Sequence, residues 1–488
     1  MALIGLDVGG SGVKVVAFTD DGTILCSAYR EYDMIHPAHG VYEYDPNAIW
    51  EATKGVLQEA AASCTQPIRG IGVSSFGESM VLLDKEDRVL CNTPMYLDTR
   101  GEEYLKELKE KMDETEFRAI TGSVMKVNHT TIKLHFMRRD YPDAFAKTAR
   151  VCFIADFVLY RLGGANVTDI TVAETTGGFN MQTGQWQKDL FAWSGFDPDL
   201  LPDLVAPGTC VGTISKKMSE ELGITEGALL VTGGLDHIPS SVGCGVIEKG
   251  QMMNAIGTVD CFCLITDTFD PRVYDGYFQF LPHYTKDCYG GMIANMAGGV
   301  LLKWFREHFG KQEKALWKAQ RLNFYTEYEK RMAKEPTDLI VLPRFSGYFD
   351  RFSDRAGILN MTLSTTNEEI YRAFMEGATY EMYTLLKAYN RPVQSVTVVG
   401  GAAQCDTYMQ IRSDIFDLPI RTVTCDQPGA LGDAIAAGVA AGIYKDTPEG
   451  VAQCVHLHHT FEPDPQRHAF YQEQYEKYLK IYAFLETL

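Results

Sequence analysis

Short apolar runs, each halted by glycines or an acid, alternate along the chain with longer stretches whose apolar positions recur at helical spacing. This alternation predicts an α/β protein. Residues 3–8 form an apolar run ending in Asp7. Gly9, Gly10, Ser11 and Gly12 follow, and residues 13–18 and 23–28 read as two further strands. β-Branched residues come directly after the glycines, so the pattern is strand, tight turn, strand. A P-loop or a dinucleotide fingerprint would need a helix at that point, and Gly12-Val13-Lys14 lacks the P-loop ending. Helices are expected over 47–63, 130–140, 151–161, 367–389, 405–416 and 465–487, and strands over 68–74, 80–83, 340–343, 395–399 and 420–423. Residues 168–184 read as a loop with short elements and 344–357 as a loop, and 294–309 as a helix entered through Gly298 and Gly299. Residues 427–444 read as a helix whose many Ala and Gly permit close approach of its neighbours. Strand-rich beginnings at 3 and again at 251 point to two related lobes with a cleft between them, expected at 1–247 and 248–488.

The most informative stretch is 229–260. An apolar run stops at Gly233-Gly234, one acid, Asp236, follows, and after a small-residue helical segment a second strand ends in Gly257-Thr258. This order puts a carboxylate at the carboxyl end of a strand, where α/β sheets gather their ligands. The Gly257-Thr258 turn offers N–H groups and a hydroxyl to a phosphate. A base beside a phosphate cradle fits phosphoryl transfer, in which positioning and charge neutralisation supply most of the catalysis. The plain alternative is a turn in which Asp236 merely caps the next helix. In the first hairpin, Asp7 is placed to hold a metal ion through water and Lys14 to meet phosphate charge. Glu78 sits at an irregular strand junction, and Tyr96, Asp98 and Arg100 lie close together in sequence. Carboxylates and a cation around a cleft suit a polyhydroxyl ligand, whose hydroxyls both donate and accept. For Asp98 a salt bridge to Arg100, or a helix cap, is the alternative.

Composition narrows the picture. The 488 residues carry a formal net charge of -19, which argues against non-specific binding to nucleic acid or anionic membranes but leaves room for ATP at local N–H-rich sites. With 45% hydrophobic and 22% charged residues the composition is that of an ordinary globular protein, long enough for two or three domains. No apolar run is long enough to span a bilayer, and the start MALIGLDVGG lacks a basic leader. Twelve cysteines without a CxxC pair fit a reducing compartment, so a cytoplasmic location is expected. Cys261 and Cys263 alternate along a strand and point the same way, which is poor spacing for zinc. His456, His458 and His459 read as a solvated loop, with metal binding as the alternative.

Together, segments 5–22, 40–50, 71–84, 96–101, 153–169, 233–246, 256–260 and 398–420, with the Ala-rich helix 429–444, resemble the FGGY carbohydrate kinase family over nearly the whole chain. The resemblance implies two actin-like, ribonuclease-H-like ATPase lobes. It also implies ATP- and Mg²⁺-dependent phosphorylation of a hydroxyl on a pentulose, hexulose, sugar acid or polyol. On this resemblance Asp236 is the general base, Asp7 serves Mg²⁺, and Gly9, Gly10, Ser11 and Lys14 serve the phosphates. Gly257 and Thr258 match the second phosphate motif. Gly299, Lys303, Gly400, Gly401 and Cys405 fall on nucleotide contacts, and Glu78, Asp98, Asn128 and His237 join Asp236 around the sugar.

The chain departs from the family at several positions. Gly77 precedes Glu78 where glycerol kinases have Arg, and Gly77-Glu78 stands where many pentulose kinases have Met-His. Phe136 stands for a common Trp. His237 replaces the Asn or Gln that often follows the base, and Asn360 stands where the second family signature usually has Gly. The first three bear on substrate choice and none touches the phosphoryl-transfer set. A small carbohydrate is the expected partner, with neither nucleic acid nor membrane, and a homodimer stays open. The rival reading is an actin-like module that senses a sugar without phosphorylating it. Asp236 separates the two, since a sensor needs no base; an acyl-phosphate-forming kinase on the same fold needs none either.

Overall fold

The computed structural model describes residues 1–270, 279–345, 355–389 and 391–485. Most of the loop expected at 344–357 and the last residues of the closing helix lie outside them. Two mixed sheets organise the chain. The first contains β1 (Ala2–Gly9), β2 (Gly12–Phe18), β3 (Ile24–Glu31), β4 (Ile68–Ser75), β5 (Cys210–Thr213) and β6 (Leu229–Leu235), in the order β5-β6-β4-β1-β2-β3. The second contains β7 (Gln251–Ile256), β8 (Asp260–Thr266), β9 (Gln279–Pro282), β10 (Tyr289–Asn295), β11 (Ser395–Val399), β12 (Ile420–Val423) and β13 (Leu457–Phe461), in the order β9-β10-β8-β7-β11-β12-β13. One plan underlies both. β1-β2-β3 and β7-β8-β10 are antiparallel ribbons, and each first strand also pairs in parallel with a later one, β1 with β4 and β7 with β11. The tight turns β1–β2 and β7–β8 therefore occupy equivalent places in the two sheets.

The covering helices are α1 (Pro46–Ser63), α2 (Ile154–Leu162), α3 (Ile170–Thr175), α4 (His237–Gly243), α5 (Gly299–His308), α6 (Asn367–Ala388), α7 (Asp406–Phe416), α8 (Pro428–Ala440) and α9 (Pro465–Leu485). Central strands covered on both faces read as continuous apolar runs. In β1, Ile4 and Leu6 join a core with α1 and α2, whereas Leu3 joins another with α8. In β8, Phe262 and Leu264 face the core under α6 and α7, and Cys263 faces the opposite side with Cys244 and Val246. All twelve cysteines are free.

The expected division at 247/248 falls between β6 and β7, but α8 crosses it. This helix lies on β1, β4 and β6 of the first sheet and against α4. Its small residues are there for packing. A Cβ on Gly5 would sit 1.8 Å from the Ala430 carbonyl oxygen, and one on Gly432 would sit 1.9 Å from that of Pro239.

Several local readings are corrected. The short elements expected within 168–184 are the strand Val167–Asp169 and α3, which follows it under an Asp169 cap. Arg150–Phe153 pairs with Met80–Leu83 before α2 begins. Residues 294–309 are the end of β10 and then α5, because Gly298 packs on the Val259 peptide, where a Cβ would meet backbone at 2.4 Å. His458 and His459 lie in β13, an edge strand that pairs with β12.

Candidate active site

Asp236 sits where β6 gives way to α4. Gly234 takes φ +81, a left-handed conformation open to glycine, at an irregularity in the β6–β4 pairing. The Asp236 N–H then donates to the Ser75 carbonyl at 3.1 Å, fixing the residue to the end of β4. By position Asp236 caps α4, yet its side chain makes no cap hydrogen bond. The side chain is 39% exposed, with Oδ1 4.0 Å from His237 Nε2. The capping alternative is therefore not how this helix is built, and the carboxylate is open to a ligand.

The β1–β2 turn lies beside it. Gly9 pairs with Gly12, leaving Gly10 and Ser11 as the loop, and Asp7 faces Lys14 across the ladder. Burial, reinforced by the Asp236 carboxylate and opposed by Lys14, pushes the Asp7 carboxyl up to about 7. Its Oδ1 is buried without a hydrogen-bond partner. A buried, half-unpartnered carboxylate next to a second acid is a place that a cation would relieve. No group of three or more His, Cys, Asp and Glu side chains that could hold a metal occurs among the described residues. Lys14 Nζ donates to Gln427 Oε1 at 2.8 Å, at the start of α8.

Across the cleft the β7–β8 turn exposes Gly257 and Thr258, and the Gly299 N–H at the start of α5 donates to the Gly257 carbonyl at 2.8 Å. A cavity of about 460 Å³ opens there, lined by Gly257, Thr258, Gly299, Lys303, Gly401 and Cys405 among others. Gly401 faces open space, whereas Gly400, at φ +95, is pressed against the Ile256 carbonyl, which a Cβ would meet at 2.4 Å. Gly400 thus shapes the turn and does not line this cavity. Asn323, Tyr325, Glu329 and Tyr371 also line it. They sit in charged or apolar helical sequence that carries no motif.

On the other side of Asp236, Glu78 has φ 62, and its backbone is held at both ends: its N–H donates to Thr175 Oγ1 at 2.9 Å, and its carbonyl accepts from Thr130 Oγ1 and Lys133 Nζ. A Cβ at Gly77 would meet Thr175 Oγ1 at 2.6 Å, so the Arg or Met expected there does not fit this backbone. Burial raises the Glu78 carboxyl, Lys126 and Lys133 oppose that, and Asp236 adds to it. Asn128 Oδ1 is buried without a partner.

Asp98 is a correction. It is fully buried, bound to Arg100 at 2.8 Å and to the Tyr42 N–H at 3.0 Å, with Arg100 also bridging Glu43 and Asp140. The salt-bridge alternative describes it, and it leaves the sugar-facing set. Three residues with no sequence signal come in. Lys126 Nζ donates to Gln279 Oε1 at 2.9 Å, and Gln279 Nε2 donates to Glu174 Oε2 at 2.5 Å, which joins β9 of the second sheet to α3 of the first lobe. Burial pushes Glu174 up to about 8, and its Oε1 is unpartnered. Tyr96, 38% exposed, has its hydroxyl beside Gly10 and is raised by burial and by the Asp236 and Glu78 carboxylates.

The family model for the N-terminal domain of the FGGY family of carbohydrate kinases matches residues 2–243, and that for its C-terminal domain matches residues 252–441. The chain belongs to the FGGY family of carbohydrate kinases. Xylulose kinase of Bacillus subtilis is 25% identical to this FGGY chain, over 100% of it and 97% of the relative. Autoinducer-2 kinase of Klebsiella pneumoniae is 26% identical over 99% and 93%. The crystal structure of ligand-bound xylulose kinase from Lactobacillus acidophilus superposes with a TM-score of 0.88 at 23% identity, covering 99% of this chain and 98% of that one. The FGGY chain thus has the two-lobed actin-like fold and is a carbohydrate kinase. No helix among its described residues is long and apolar enough to cross a membrane.

Proposed function

We propose that this FGGY kinase transfers the γ-phosphoryl group of ATP to a hydroxyl of a small polyhydroxyl substrate, a pentulose, hexulose, sugar acid or polyol, with Asp236 as general base. The observation that carries the reading is the uncapped, solvent-open Asp236 carboxylate at the end of β6, beside the β1–β2 turn. In this scheme Asp236 accepts the proton of the attacking hydroxyl as its oxygen bonds to the γ-phosphorus and ADP departs. The Gly10 and Ser11 N–H groups, Lys14, and the Gly257-Thr258 turn neutralise the phosphates. Asp7 holds Mg²⁺, whose contribution is to offset phosphate charge. The cavity between α5 and the Gly401–Cys405 turn takes the adenosine. Glu78, Asn128, Tyr96, His237 and the Lys126–Gln279–Glu174 chain bind the substrate hydroxyls, which need donors and acceptors together.

The test is ADP release with Mg-ATP across ketopentoses, ketohexoses, tetruloses, polyols and aldonates, with Asp236→Asn run in parallel. One substrate should stand out, and the variant should lose about 10²–10⁴-fold in turnover while still binding sugar and nucleotide. Near-normal turnover by Asp236→Asn sinks the assignment of the base.

A further inference from the structure

The tyrosines around the β1–β2 turn carry an inference that rests on the phosphate-binding reading above. Three phenol hydroxyls donate to three successive carbonyls: Tyr32 to Gly9, Tyr44 to Gly10, and Tyr29 to Ser11 at 3.2 Å. Tyr44 is fully buried, Tyr32 half-buried and Tyr29 exposed. The Tyr32 and Tyr44 rings meet edge-on at 5.2 Å, Tyr44 lies 5.6 Å from Phe76, and Phe76 lies 6.1 Å from Tyr96. One aromatic row therefore runs from the turn to the cleft beside Asp236.

The turn itself is unusual. None of Gly9, Gly10, Ser11 and Gly12 has a left-handed φ. Two-residue hairpin loops ordinarily use left-handed residues, because those match the twist of the strands. This loop holds a backbone that its own hairpin does not favour, so something outside it must do the holding. The glycines make room for that. A Cβ on Gly12 would come within 2.9 Å of the Tyr29 ring, and one on Gly10 would lie 3.0 Å from the Tyr96 hydroxyl. A planar trans peptide points its N–H opposite to its C=O. Carbonyls drawn toward the tyrosines leave the N–H groups of the following residues turned the other way.

We propose that Tyr29, Tyr32 and Tyr44 are positioning residues. The Tyr32 and Tyr44 hydroxyls hold the carbonyls of Gly9 and Gly10 away from the nucleotide, so that the N–H groups of Gly10 and Ser11 are presented to its phosphates, and the Tyr29 hydroxyl fixes the Ser11–Gly12 peptide that closes the turn. Tyr32 and Tyr44 stay protonated donors across the working pH range, since desolvation pushes Tyr44 up to about 12 and Tyr32 higher still.

Phenylalanine keeps each ring and removes only the hydroxyl. The experiment is calorimetric titration of ATP, ADP and adenosine into wild type, the three single Phe variants, the triple variant and Lys14→Met. ATP and ADP affinity should fall about fivefold per lost hydroxyl, while adenosine affinity stays within about twofold. That split is the readout which a merely structural role would not produce. Equal loss of adenosine and ATP binding overturns the proposal. So does unchanged ATP affinity in the triple variant when Lys14→Met is weakened, and the phosphate role of the hairpin then stands. Unchanged ATP affinity in Lys14→Met as well removes that role and the proposal with it. If the triple variant does not fold, the single variants decide by the same split, Tyr44→Phe first.

Discussion

Two acids close in type and far apart in circumstance show what a residue's surroundings decide. Asp98 has Arg100 and a backbone N–H on its carboxylate; Asp236 has neither. Sequence shows both as acids in a plausible place. It shows the local partner of Asp98, Arg100, but not that Tyr42, Glu43 and Asp140 close the network around it. Removing one member of such a buried network leaves uncompensated charge, so Asp98→Ala should cost about 3–5 kcal/mol in chemical denaturation. Glu174 makes a different prediction. Its native carboxyl is raised from the ordinary 4.5 to about 8, so the folded state holds a proton that the unfolded state has released. Stability then falls as pH rises through that window, at a limiting slope of about 1.4 kcal/mol per pH unit. Glu174→Gln, which mimics the protonated form, should show a growing stability advantage over wild type between pH 5 and pH 8 in paired urea titrations. Parallel pH profiles for the two proteins would remove the neutral carboxyl from the account.

At the scale of the element, the hairpin around Gly9 to Gly12 was legible because β-branched residues leave it no other form, and the uninterrupted apolar strands were legible for the same reason. Breaks that depend on distant neighbours were not. The end of β10 before α5 depends on Gly298 lying on Val259, and the histidines of β13 are in a strand because β12 is beside them. The small residues of α8 announced close packing without naming its partner. That contact gives a sharp expectation. Gly432→Ala would drive a methyl into the Pro239 carbonyl, and since backbone cannot step aside as a side chain can, it should cost at least about 3 kcal/mol. Gly442→Ala, where a Cβ meets nothing but the left-handed φ of +70 is strained, should cost only about 1–2 kcal/mol. A thermal midpoint for Gly432→Ala equal to that of wild type would show that α4 and α8 are looser than drawn.

At the scale of the molecule, the recurrence of one sheet plan places two phosphate-sized turns on facing lobes, with Gln279 and the Phe280 N–H, which donates to the Gly122 carbonyl at 3.0 Å, reaching from the second lobe to the first. The two strand-rich beginnings made the duplication readable; the bridging edge strand β9 has no pattern that distinguishes it from any other short strand. Lobes that grip one substrate each should close on both, shutting water away from the phosphoryl group. Small-angle scattering should give a smaller radius of gyration with sugar and a non-hydrolysable ATP analogue together than with neither, and identical curves would count against closure.

The crossing of α8 has an implication for how the chain is made. The first sheet is complete once residue 235 has been synthesised, but the helix that seals one of its faces arrives only with residues 428–440. For nearly two hundred residues of translation, Leu3, Val16, Phe18 and Val231 must wait without that lid. A nascent chain in this state presents a broad greasy face, the kind of surface that chaperones bind and that clumps on crowded ribosomes. Release of the amino-terminal half alone should therefore yield insoluble protein, and supplying the carboxyl-terminal half in the same cell should rescue it.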